Sequence, residues 1–199
     1  MSINKRFSSG ESKARAIAAA RELLINEGPQ AVTLKAVADR VGRTHANLLH
    51  HFGSAAGLQK DLASELARTV CAKIREAMPD LLAGTRKPRD VVDMIFDAFD
   101  REGGGALASW MLLSGNHDAL DPVVDTVHEL VDDLYPEERS GEAPPTLHRL
   151  TYSLCLLALG EALMGPRLST SLNVERSTSR DHAEQLLQEK LVQAGRLSG

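Results

Sequence analysis

Between Thr33 and Ser54 the chain carries two short apolar-periodic segments separated by one tight break, and this spacing limits the possible folds more than any other feature. Leu34, Val37, Ala38 and Val41 fall at i, i+3, i+4 and i+7, the period of one helix face, with Thr33 placed as an N-cap. Gly42 ends that segment, and Thr44 caps a second one running from His45 to Phe52. In the second, Leu48 and Phe52 stand one turn apart and should face the same small core as Val37, Ala38 and Val41. Two short helices joined by a Gly-containing turn form a helix-turn-helix pattern. A helix over 11–26 is expected before it, with Ala14, Ile17, Ala18, Leu24 and Ile25 as its buried stripe and Glu27-Gly28-Pro29 as its stop. After it, Ser54 can cap a long helix reaching about Met78.

The remaining chain reads as helix as well. The eight prolines of the full chain stand at or beside places where the apolar period lapses, leaving helices expected at 88–102, 105–116, 121–135, 146–164 and 178–196, with a polar loop over 165–177. With 43% hydrophobic residues the chain can bury a core, while 4% aromatics and few Val/Ile/Thr-dense runs speak against a β sandwich or barrel. The expectation is an all-α fold: a basic arm over 1–10, a three-helix head over 11–58 and a larger helical body over 59–199. No stretch offers the ~18 uninterrupted apolar residues of a membrane span, and residues 1–6 lack the apolar block of a secretory signal. Cys71 and Cys155 lie far apart with no metal-type spacing, which points to reduced, buried thiols and a cytoplasmic setting.

Charge separates the two parts. Residues 1–60 hold nine Lys/Arg against four Asp/Glu, and the remainder holds fourteen against twenty-three. A basic head on an acidic body suits a chain whose N-terminal part meets a polyanion. Opposite Leu48 and Phe52, the second short helix presents Arg43, Thr44, His45, Asn47 and His50. Such a face can enter a major groove, where Asn bridges the adenine edge and Arg or His reaches guanine acceptors. The helix starts at Thr33 and Thr44 offer backbone N–H groups to phosphate oxygens, and Lys35, Arg43, Lys5 and Arg6 add charge. The same polar groups could instead solvate a surface helix. Adjacent His50 and His51 point about 100° apart, a poor ligand pair, so no metal is expected there.

The blocks Ala18 to Gly28, Ala31 to Gly42 and His51-Phe52-Gly53-Ser54 together resemble the DNA-binding region of the TetR family of bacterial repressors, over roughly residues 11–58. The family usually carries Tyr where this chain has Leu49, and a phosphate-touching Lys where it has Ala55-Ala56. Losing both should weaken sequence-independent affinity and flatten its salt dependence. The resemblance implies a homodimer built from a four-helix bundle. The segments 146–164, with Leu147, Leu150, Leu154, Leu156, Leu157, Leu159 and Leu163, and 178–196, with Ala183, Leu186, Leu187, Leu191 and Ala194, offer the apolar faces for it. A core within one protomer is the other use for such faces.

An apolar cavity in the body would draw on Met94, Phe96, Phe99, Trp110, Met111, Leu113, Tyr152, Cys155 and Met164, with Asn116, His117 and His128 as polar handles. The competing use of such a stripe is a packed core. The reading is a ligand-responsive regulator, a repressor that binds a two-fold double-stranded DNA operator and is released by a small apolar or amphipathic effector. It needs no cofactor and no membrane. The alternative is a helical protein-interaction module that has lost DNA binding. No Ser/His/Asp set, phosphate loop or metal cluster suggests an enzyme.

Overall fold

The computed structural model describes residues 9–134 and 145–193. Among these the secondary structure is helical throughout: α1 (Ser9–Glu27), α2 (Leu34–Val41), α3 (His45–Phe52), α4 (Ala55–Leu82), α5 (Pro88–Phe99), α6 (Gly104–Leu113), α7 (Asp121–Asp133), α8 (Pro145–Leu172) and α9 (Thr178–Gln193). Short 3₁₀ turns occupy Pro29–Ala31 and His117–Leu120. None of the described helices is long and apolar enough to cross a membrane.

The caps in the head are those its sequence offers. Thr33 accepts a hydrogen bond from the Ala36 N–H at 3.2 Å, Thr44 from that of Asn47 at 3.2 Å, and Ser54 from that of Gly57 at 3.0 Å. Gly42 adopts the left-handed conformation, φ 65°, so α2 stops and the Arg43 N–H returns to the Ala38 carbonyl at 2.9 Å. Gly57 sets the α3–α4 angle, because a Cβ there would overlap the Phe52 carbonyl oxygen. Helix α3 is thereby fixed to the start of α4.

Two apolar cores lie along α4. The first joins Leu23 and Leu24 of α1, Leu34 and Val37 of α2, Leu48 and Phe52 of α3 and Leu58, Leu62 and Leu66 of α4 to Leu107 and Met111 of α6. The second joins Cys71, Ile74 and Leu81 of α4 to Val92 and Phe96 of α5, Leu130 of α7, Leu150 and Leu154 of α8 and Leu187 of α9. Head and body therefore share a core through α6, a link that a boundary at residue 58 does not convey. At 28 residues, α4 spans about 42 Å at 1.5 Å per residue and connects both.

Several sequence expectations need correction. In α1 the buried stripe is Ala16, Ile17, Ala19, Ala20, Leu23 and Leu24, whereas Ala14, Ala18 and Ile25 are exposed. An alanine-rich helix has several faces of similar hydropathy, and packing selected a neighbouring one. Pro79 does not stop α4, nor does Pro166 stop α8, so much of the polar loop expected over 165–177 is helix. Pro removes one N–H from a helix, a loss tolerated where neighbouring contacts hold the chain. Around Pro166 the Ser169 and Thr170 hydroxyls donate to its carbonyl at 3.2 and 2.9 Å. Glu161 lies buried over the bare backbone of Gly165, held by the Ser179 hydroxyl at 2.9 Å and Arg176 at 3.3 Å. Helix α5 ends at Phe99 rather than near 102. Helix α1 starts at Ser9, while Lys5, Arg6 and Ala194 lie outside the described residues.

Candidate DNA-reading edge and ligand cavity

Helix α3 turns Leu48 and Phe52 into the core and leaves Arg43, Thr44, His45 and His50 exposed, with Asn47 half-buried beside them. Thr33 and Lys35 are exposed at the start of α2, on the partner helix of the motif. His51 meets Phe52 edge-to-face at 6.4 Å between ring centroids. Leu49, 44% exposed, adds an apolar side chain to the same outward surface. Other head cations serve the fold: Arg40 pairs with Glu27 at 2.6 Å and Glu22 at 3.7 Å, and Lys13 pairs with Asp61 at 2.7 Å. Arg21 reaches across to Glu102 of the body at 3.1 Å, and Lys73 of α4 meets the same carboxylate at 3.2 Å.

A cavity of about 180 Å³ lies between the two cores. Its wall takes Ala63, Leu66, Ala67, Val70, Cys71, Ile74 and Met78 from α4, Val91, Ile95 and Phe99 from α5, and Leu107 from α6. Val123, Val127, Leu130 and Val131 of α7 close one side, and Leu147, Leu150, Thr151, Leu154 and Cys155 of α8 the other. No charged side chain stands in this wall among the described residues. The polar side chains among its lining residues are Thr151 and the thiols Cys71 and Cys155. Burial pushes the Cys155 thiol up to about 11, with Cys71 adding to the effect. Cys71 is also raised, first by burial, although Arg75 opposes the shift.

Of the sequence candidates for a ligand site, Phe99 and Cys155 line this cavity. Met111 is fully buried in the head-side core, and Phe96 in the body core beneath Arg180. Trp110, Leu113, Tyr152 and Met164 are exposed. Met94 packs on the body core without reaching the cavity wall. Among the polar handles, His128 is exposed on α7, Asn116 is half-buried before the second 3₁₀ turn, and the His117 side chain lies outside the described residues. Reasoning from large aromatic and sulfur side chains missed the small aliphatic wall of α4 and α7. The available signal was the small side chains Ala63, Ala67 and Cys71 set among Leu66, Val70 and Ile74 along α4, which leave room beside the helix.

Residues 16–62 match the model of the bacterial regulatory proteins, tetR family. The head is that of a TetR-family regulator. The fold recurs, over most of the chain, in solved structures at low identity. A fatty acid degradation regulator, FadR, from Bacillus halodurans is 15% identical, covering 91% of this chain and 96% of its own, with a TM-score of 0.58. The multidrug binding protein EbrR, solved with imidazole, is 19% identical over 87% of this chain and 93% of its own, TM-score 0.58. FadR of Thermus thermophilus, a TetR-family transcriptional repressor in complex with lauroyl-CoA, is 19% identical over 89% and 93%, TM-score 0.56. No curated protein matches the chain at a significant level. Within this fold the α3 edge of the TetR-type head is the candidate DNA surface and the α4–α8 cavity the candidate effector site.

Proposed function

We propose that the chain is a ligand-responsive transcriptional repressor that binds a two-fold operator as a homodimer and leaves it when an apolar or amphipathic molecule enters the cavity. The observation that carries this reading is the shared wall: Ala63, Leu66 and Leu107 stand between the cavity and the head-side core. An occupant that spreads α4 from α6 acts on the helix whose first turn is locked to α3. In a dimer, that movement changes the separation of two recognition edges, which must sit about 34 Å apart to read successive major grooves. The effect is as large as the occupant's preference for one dimer shape over the other.

A dimer interface is available on α8. Tyr152, Leu156, Leu163, Met164 and Leu168 are exposed on this one helix, with Tyr152 at 68%. An apolar strip of that length on a regulator calls for a covering partner, and a second copy presents its equal. The uncharged cavity wall suits a neutral or long-chain apolar body, a reading supported by the Thermus thermophilus neighbour, which was solved in complex with lauroyl-CoA.

Selection of duplexes from a random pool, followed by anisotropy titration of the winner, tests the reading. Asn47→Ala and Arg43→Ala should each lose about 1–3 kcal/mol, roughly 5- to 150-fold, on the selected duplex. Equal affinity for wild type and both variants would reject α3 as the reader. Exposed Leu49 favours a second reading, a protein-interaction module without DNA affinity. An absence of salt-dependent binding to any duplex would select it.

A further inference from the structure

We propose that His128 and Asp132 of α7 and His148 of α8 form a binding site for a divalent transition-metal ion, most naturally Zn²⁺, that ties the two helices together over the cavity. One donor atom from each residue lies within 4.8 Å of the other two. His128 and Asp132 stand one turn apart, so both side chains leave α7 on the same side, and the His128 Nε2 lies 3.5 Å from the Asp132 Oδ2. Two donors bonded to one tetrahedral ion at about 2.1 Å are separated by about 3.4 Å. That pair therefore already spans one edge of a zinc tetrahedron. His148 arrives from the other helix, its ring 5.7 Å from that of His128. Closing the longer edges needs rotation of side chains that are exposed or half-buried, such as His128 at 63% and Asp132 at 55%.

The donor set defines the occupant. Two imidazoles and one carboxylate suit Zn²⁺ and its neighbours rather than Ca²⁺ or Mg²⁺, which seek oxygen ligands. With three protein donors open to solvent, water completes the coordination shell. The one-turn spacing on α7 alone accounts for His128 beside Asp132. It does not account for a second imidazole, from a separate helix, turned toward the same carboxylate. The neighbours of these residues, Val127 and Val131 on α7 and Leu147 and Thr151 on α8, line the cavity. The ion would sit on the outside of that wall and cross-link its two helices, a link that apolar packing does not supply.

Tag-free protein titrated with Zn²⁺ against a chromophoric chelator at neutral pH provides the test, with thermal denaturation as a second readout. The wild type should take up one Zn²⁺ per chain and melt at a higher temperature with the ion. His128→Asn and His148→Asn should each weaken binding by about 100-fold or more and remove the thermal shift, and Asp132→Asn should weaken it by about tenfold or more. His128 and Asp132 are exposed and His148 half-buried, and unchanged far-ultraviolet circular dichroism would confirm that the variants fold. His182→Asn, an exposed histidine on α9, should leave both readouts unchanged. Equal Zn²⁺ affinity for wild type and His148→Asn, or an equal loss in His182→Asn, would overturn the site.

Discussion

Gly103→Ala tests how the body holds the head. Gly103 precedes α6 at φ 80° and ψ 8°, a left-handed conformation that costs a residue with a Cβ about 1–2 kcal/mol. A methyl group there would also stand 2.9 Å from Leu24 Cγ, 3.2 Å from its Cδ2 and 3.4 Å from its Cδ1. Leu24 is 3% exposed, and the approach is to its branch carbon rather than to a mobile tip, so α1 or the turn must shift. Overpacking of this kind costs about 1–3 kcal/mol, giving about 2–5 kcal/mol for Gly103→Ala in urea denaturation. Gly115→Ala isolates the backbone part: at φ 79° its Cβ would meet nothing within 4 Å, so about 1–2 kcal/mol is expected. Leu24→Ala removes the obstructing side chain. Combined with Gly103→Ala, it should cost at least about 1 kcal/mol less than the two single losses together. Additivity within about 0.5 kcal/mol, or equal losses for Gly103→Ala and Gly115→Ala, would refute a steric seam between α1 and the α5–α6 turn.

The clasp between α5 and α9 offers a second test. Arg180, 15% exposed, binds Asp93 at 2.6 Å and Asp97 at 2.7 Å while lying 5.2 Å over the Phe96 ring. Arg180→Ala should cost about 1–3 kcal/mol in urea, moderated by the partial exposure of both carboxylates, and Arg180→Met should recover part of it through the stem over Phe96. Equal losses in the two variants would assign the whole effect to charge. Cys155 predicts a pH dependence. Burial raises its folded thiol from 9.0 to about 11, so above pH 9 the unfolded chain loses a proton that the native state keeps. Stability from this group is complete below about pH 9 and falls as pH rises toward 11, by about 1–3 kcal/mol. Wild type should therefore lose more stability than Cys155→Ala between pH 8 and 10.5, and parallel declines would contradict a buried neutral thiol.

Different parts of the molecule were legible to different degrees. Thr33, Gly42, Thr44 and Ser54 announced the head because caps and left-handed turns are local chemistry, decided by one side chain and the backbone beside it. Leu48 and Phe52 announced the inward face of α3, and with it the outward edge, because a short helix with one apolar stripe has a single way to sit. The cavity was not legible. Met111 and Phe99 have similar hydropathy, yet α6 carries one into the head-side core and α5 carries the other to the cavity wall.

By itself the sequence determined the helical class, the head's three-helix motif, the Arg43-to-His50 edge and the charge contrast between head and body. Those properties depend on spacing and composition within a few turns of chain. Tertiary structure decided which face of the alanine-rich α1 is buried, how far α8 runs past Pro166, where space is left unfilled along α4, and which histidines meet across α7 and α8. Each of these depends on groups distant in sequence competing for the same volume, and that competition is resolved when the helices pack.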